Sequence, residues 1–158
     1  MTLIVEDNTG LENADSYITV DYALDYFSRY GGGTSFQDSD AEQEQALRNG
    51  TRIVDSLIRW IGTPLTETQA LAWPRQQPNK QGGFDTLVVP KEVKEVVAEI
   101  AELWFTDDIK VTPIISEKYG DTSVTYAYPH VEEKFADIKR RLLKWGAYSS
   151  TMVTTYRA

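Results

Sequence analysis

Residues 89–105, Val89-Pro90-Lys91-Glu92-Val93-Lys94-Glu95-Val96-Val97-Ala98-Glu99-Ile100-Ala101-Glu102-Leu103-Trp104-Phe105, constrain the fold more than any other stretch. Val93, Val96, Val97, Ile100, Ala101 and Trp104 recur at i, i+3, i+4, i+7, i+8 and i+11, the stripe of an amphipathic helix. Pro90 suits the first helical turn, where a missing N–H costs nothing. Lys91, Lys94, Glu95, Glu99 and Glu102 are left for the outer face. Three valines lower the intrinsic helix propensity, so this helix must be held by packing against the rest of the chain. It is the expected centre of the fold, and nothing on it suggests catalysis.

Three further helices and one short one follow from the same reading. Thr19 caps a helix over residues 20–30, with Val20, Ala23, Leu24, Phe27 and Tyr30 as its stripe and Gly31-Gly32-Gly33 as its stop. The glycine triplet is not followed by Lys-Ser or Lys-Thr, so it does not read as a phosphate loop. Ser39-Asp40-Ala41-Glu42 is a capping box that opens the longest helix, residues 40–61. Its stripe runs from Ala46 and Leu47 through Ile53, Val54, Leu57 and Ile58 to Ile61, and Gly50 interrupts it where another helix can approach closely. Thr66-Glu67-Thr68-Gln69, a second capping box, predicts a short helix over 67–72. The last helix, residues 130–145, carries Val131, Phe135, Ile138, Leu142 and Trp145 on one face and is stopped by Gly146. Acids Glu132 and Glu133 in its first turn and bases Lys139, Arg140, Arg141 and Lys144 near its end complement the helix dipole; contact with DNA is the other reading of the basic cluster.

Between the helices the period changes. Residues 3–7 read as a short strand or extended arm. Residues 73–84 are polar and rich in Pro, Gly and amides, and predict a loop of unusual length. Trp73 and Phe84 with Arg75 and Lys80 could stack on and hold a single strand of nucleic acid; the structural reading makes Trp73 a core anchor and leaves Arg75 to solvent. Residues 109–128 favour strands, with Ile115, Tyr119, Val124 and Tyr126 at β-prone positions and Gly120-Asp121 fitted to a tight turn. Such a hairpin is an edge feature on which a neighbouring chain can add a strand. The tail, residues 147–158, has no helix period and reads as an extended arm.

Composition narrows the function. The chain of 158 residues is read as one domain, and without cysteine it has neither disulfides nor thiolate chemistry. Its one histidine, His130, rules out a multi-His metal site and stands at a helix start without a nucleophile beside it. The absence of a long apolar run or a basic, signal-like start leads us to expect a soluble protein. Residues 1–47 hold ten acids against Arg29 alone, within a net charge of −8. That acidic third is either solvated surface or a face that steers past DNA or meets a basic partner. Neighbouring acids such as Asp107-Asp108 and Glu132-Glu133 diverge and form no acid–base pair. An assembly or binding protein fits these observations better than an enzyme.

Several pieces occur in an order that resembles a known family. They are Leu3-Ile4-Val5-Glu6-Asp7, Ala14-Asp15-Ser16-Tyr17, Ala46-Leu47-Arg48 and Ala70-Leu71-Ala72-Trp73-Pro74-Arg75, then Val89-Pro90, Ser116-Glu117-Lys118-Tyr119-Gly120-Asp121 and Val124-Thr125-Tyr126. Over residues 3–128 the chain resembles head–tail connector (adaptor) proteins of tailed bacteriophages, a type often labelled DnaT-like single-stranded-DNA-binding proteins. The resemblance implies a mainly α fold, a bundle of four to five helices with a projecting β-hairpin and extended terminal arms. Residues 1–146 would form the connector domain, with the hairpin at 109–128, and 147–158 the arm. It implies a virion protein of the neck, made in the host cytoplasm, with no cofactor and no catalysis. A homo-oligomeric ring, usually twelve-fold, would sit beneath the portal protein and above a stopper or tail-completion protein, with double-stranded DNA passing through and no membrane involved. Tyr148, Met152, Val153, Tyr156 and Arg157 would then serve as a portal-binding arm, and Ile115, Tyr119, Gly120, Asp121, Val124 and Tyr126 as an inter-subunit hairpin. The alternative function is single-stranded DNA binding in phage replication, with Trp73, Arg75, Lys80 and Phe84 as contacts.

Overall fold

The stripe of residues 89–105 forms the helix it predicts. In a computed structural model, which describes residues 2–36, 39–78, 82–106, 117–119, 122–124 and 129–148, the elements run in this order. First come α1 (Val20–Tyr30), α2 (Asp40–Leu57), β1 (Ile58–Trp60), β2 (Thr63–Pro64), β3 (Arg75–Pro78) and β4 (Phe84–Leu87). Then come α3 (Lys91–Phe105), β5 (Glu117–Tyr119), β6 (Thr122–Val124), α4 (Pro129–Leu142) and β7 (Gly146–Tyr148).

Pro90 is the N-cap of α3, and Val93, Val96, Val97, Ala98, Ile100, Ala101 and Leu103 are buried along it. Large apolar side chains such as Ile100 and Leu103 each contribute about 1.5–3 kcal/mol of burial, which offsets the poor propensity of the valines. The most extensive helix pair is α2 with α3. It closes tightly at Gly50, where a Cβ would stand 3.0 Å from the Val97 carbonyl oxygen and 3.3 Å from the Ala101 nitrogen. α1 begins as predicted, with the Thr19 hydroxyl accepting the Tyr22 N–H at 3.1 Å. Its end is fixed from α3, because Glu102 accepts the Gly33 N–H at 2.5 Å.

The architecture is mixed α/β, which corrects the mainly α bundle expected from the sequence. Four described helices share the fold with three small antiparallel sheets, β1–β7, β2–β3–β4 and β5–β6. The predicted helix over 40–61 stops at Leu57, since Ile58 turns extended (φ −122°, ψ 132°). Ile58 and Trp60 then point inward and Arg59 outward, and Ile58, Arg59 and Trp60 pair with Tyr148, Ala147 and Gly146. Gly146 is therefore more than a helix stop: a Cβ there would collide with Ile58 Cγ2.

Two capping boxes behave differently from their reading. Ser39 makes no side-chain cap; its hydroxyl meets the Glu42 carboxylate at 3.3 Å instead. In the second box Gln69 Oε1 accepts the Thr66 N–H at 3.0 Å, as a box requires. Its Nε2 then donates to the Leu71 and Pro74 carbonyls, so the segment closes as a turn and the helix over 67–72 does not form. The supposed long loop 73–84 contains β3 and the start of β4, paired from Arg75↔Leu87 to Pro78↔Phe84.

The amino-terminal stretch is tied down by polar contacts as well. Val5 and Ser16 form a parallel bridge. The buried Glu6 carboxylate accepts the Gly10 and Leu11 N–H groups at 2.8 and 3.0 Å. Asn8, in the left-handed region at φ 73°, accepts the Val89 N–H at the approach to α3.

Candidate functional site

The residues around Trp73 show what the interior does with aromatic and basic side chains. Trp73 is fully buried. Its ring stands edge-on to Trp60 (centroids 5.7 Å apart) and to Trp145 (5.6 Å), joining the β3 approach to β1 and to the turn after α4. Arg75 is buried too. Its guanidinium donates from Nε to the Ile61 carbonyl (2.8 Å), from Nη1 to Ala72 (2.8 Å) and from Nη2 to Gly62 (2.5 Å). The fork satisfies three carbonyls of the turns flanking β2 and β3, and Arg75 is not left to solvent as the sequence suggested. Of the four proposed nucleic-acid contacts, Trp73 and Arg75 thus face inward. Phe84 pairs through its backbone with Pro78 in the β3–β4 ladder, and Lys80 lies outside the described residues.

Behind this cluster is a polar junction that has no local signal in the sequence. Tyr17 Oη donates to Asp55 Oδ1 (2.7 Å) and accepts the Trp73 N–H (3.1 Å), while Asp55 Oδ2 accepts the Ala72 N–H (3.0 Å). Burial pushes the Tyr17 hydroxyl well above its usual range, with the adjacent Asp55 charge adding to the shift. Burial likewise raises the Asp55 carboxyl to about 6 against the pull of Tyr17, the Ala72 N–H and the Arg75 charge. A carboxyl whose folded pKa lies above its unfolded value of 3.8 favours folding fully below the unfolded value, and this contribution is lost as pH rises through about 6. Stability of the wild-type chain, relative to Asp55→Asn, should therefore increase by about 1 kcal/mol from pH 7 to pH 5. Parallel pH profiles from urea unfolding of the two proteins would contradict the assignment.

Two of the four bases near the end of α4 reach α3. Arg141 pairs with Glu99, and Lys144 with Glu92, whose carboxyl it holds below the ordinary range. Glu99 also accepts Tyr26 Oη at 2.5 Å, so α1, α3 and α4 meet at one carboxylate. Beside it lies a groove of about 460 Å³, lined by Phe27, Leu103 and Ile138 with Glu99, Glu102, Lys134 and Asp137 around them. Glu99 is bound by Tyr26 and Arg141, Glu102 by the Gly33 N–H, and Asp137 by Arg140 and Arg141. These partners tie the groove's carboxylates to α1, α4 and the Gly33 backbone. Among the described residues, no group of three His, Cys, Asp or Glu is placed to hold a metal, and no helix is long and apolar enough to cross a membrane.

The other predicted sites are described in part. Tyr119 and Val124 lie in β5 and β6, where Tyr119 pairs with Thr122 and Glu117 with Val124. Ile115, Gly120, Asp121 and Tyr126 fall outside the described residues. Tyr148 pairs with Ile58, which incorporates the first residues of the supposed arm into the β1–β7 sheet. Met152, Val153, Tyr156 and Arg157 fall outside the described residues.

These features define a small mixed α/β protein built around one long helix pair, with its central aromatic and guanidinium groups committed to internal structure. The family described as "Putative DnaT-like ssDNA binding protein" matches residues 1–158, and the chain belongs to that family. No curated protein and no solved structure matches it.

Proposed function

We propose that this chain is a non-catalytic head–tail connector of a tailed bacteriophage, forming a homo-oligomeric ring between the portal and a stopper or tail protein. The observation that carries the reading is the burial of Trp73 and Arg75, two of the four side chains that the sequence offers to a single strand. The charge distribution supports it as well. Asp7, Glu12, Asp21, Asp25, Asp40 and Glu42 are exposed in the acidic amino-terminal third, which repels a phosphate backbone. A ring around a DNA passage benefits from such repulsion, whereas a strand binder is weakened by it.

Single-stranded DNA binding is the second reading. The family description names that activity and names no connector, so the comparisons favour it over the first. A fluorescently labelled oligonucleotide titrated with the full-length chain separates the two. The connector reading predicts no saturation up to about 10 µM protein at roughly 0.15 M salt. Submicromolar affinity that falls steeply with added salt would overturn it in favour of the second.

A further inference from the structure

Two exposed leucines lie within charged triplets of equal spacing and opposite sign. On α1, Ala23 and Phe27 point inward, leaving Asp21, Leu24 and Asp25 on the outer side, with Leu24 38% exposed. At the end of α4, Ile138 and Leu142 point inward. Arg140 and, in the turn that follows, Leu143 and Lys144 remain outside, with Leu143 53% exposed. Both triplets follow the spacing i, i+3, i+4.

We infer that these faces dock on each other between two copies of the chain, Leu24 against Leu143 and Asp21 and Asp25 opposite Arg140 and Lys144. The occupant is a second copy because each surface supplies the charge that the other lacks. Residues 1–47 have ten acids against one arginine, while residues 139–144 have four bases and no acid. Like faces repel, so symmetric pairing of α1 with α1 or of α4 with α4 is disfavoured. The existing partners do not block the contact. Asp25 pairs with Arg29 at 2.9 Å and Arg140 with Asp137 at 3.6 Å, both at the surface, and Lys144 with Glu92 while staying largely exposed. Exposed pairs of this kind contribute little and can exchange partners at small cost. In a ring each copy would turn its α1 face to one neighbour and its α4 face to the other, a head-to-tail contact that closes when the rotation allows. The inference rests on the connector reading and assigns residues to the side contact of its ring.

The absence of cysteine makes a clean test available. Leu24→Cys and Leu143→Cys chains, one carrying a mass tag, are mixed and oxidised with oxidised glutathione after thermal melts confirm that both fold. A disulfide requires the two Cα atoms within about 7 Å, so it reports direct apposition. The mixed 24–143 product should exceed either like-with-like product about fivefold. Arg140→Glu with Lys144→Glu on the second chain should suppress it, and Asp21→Lys with Asp25→Lys on the first should restore it. A statistical mixture, or indifference to charge reversal, overturns the contact. If the cross-link fails while the chain is found in phage necks, the contact falls and the connector reading survives; a cross-link with no chain in the particle has the opposite meaning.

Discussion

Replacing Trp73 with alanine should lower the unfolding free energy by about 3–5 kcal/mol, a large share of the about 5–15 kcal/mol available to a domain. The ring is fully buried and touches Trp60 and Trp145 edge-on, so truncation removes a contact shared by β1, the turn after α4 and the approach to β3. The gap has little chance to collapse, because the Trp73 N–H is fixed to Tyr17 Oη, which is itself fixed to Asp55. Urea unfolding followed by tryptophan fluorescence measures the loss. A variant that melts like the wild type but has lost affinity for single strands would place Trp73 at a binding surface after all.

Arg75→Lys should be the second most damaging change, at about 2–3 kcal/mol, despite conserving the charge. The guanidinium serves the Ile61, Ala72 and Gly62 carbonyls from three different nitrogens, and an ammonium at the end of a flexible stem cannot reproduce that fork. At least one buried carbonyl is then left without its donor. The substitution separates structure from electrostatics, because a lysine on a phosphate-binding surface would keep both fold and attraction. Unchanged stability in a denaturant titration would show that the carbonyl fork is dispensable.

The helices were legible where a single period governed burial. The stripe of α3, the Thr19 cap, the stop after Tyr30 and the close approach at Gly50 follow from local pattern and are present, whereas of the α1 stripe Ala23 and Phe27 are buried and Leu24 and Tyr30 are exposed. The end of α2 is ambiguous in the sequence, because Leu57, Ile58 and Ile61 continue a helical spacing while Ile58 and Trp60 also satisfy an alternating one. Pairing with residues 146–148, almost ninety positions away, decides between them, and no local signal carries that choice. β3 and the first residue of β4 fall inside the expected loop for a related reason: Arg75-Gln76-Gln77-Pro78 has no β-branched residue, and its strand character comes from its partners in the ladder.

The site was less legible than the fold. Trp73 as a core anchor follows from its type, whereas residue type alone sends Arg75 to solvent, where lysine and arginine usually lie. Its three acceptors come from turns whose geometry depends on the completed sheet. Asp55 had no signal at all, lying 38 residues from Tyr17 and 17 from Ala72 in the sequence. The outer triplets of α1 and α4 carry no such signal, because Leu24 fits the apolar stripe of α1 by spacing and is nevertheless 38% exposed.

The connector proposal puts this chain in a phage particle, so quantitative mass spectrometry of such purified particles, counting the chain against the portal protein, tests the central claim most directly. The connector reading predicts a copy ratio near one, as a ring matched to the portal requires. A particle that contains the portal but not this chain would contradict it, and single-stranded DNA binding in the infected cell would take its place.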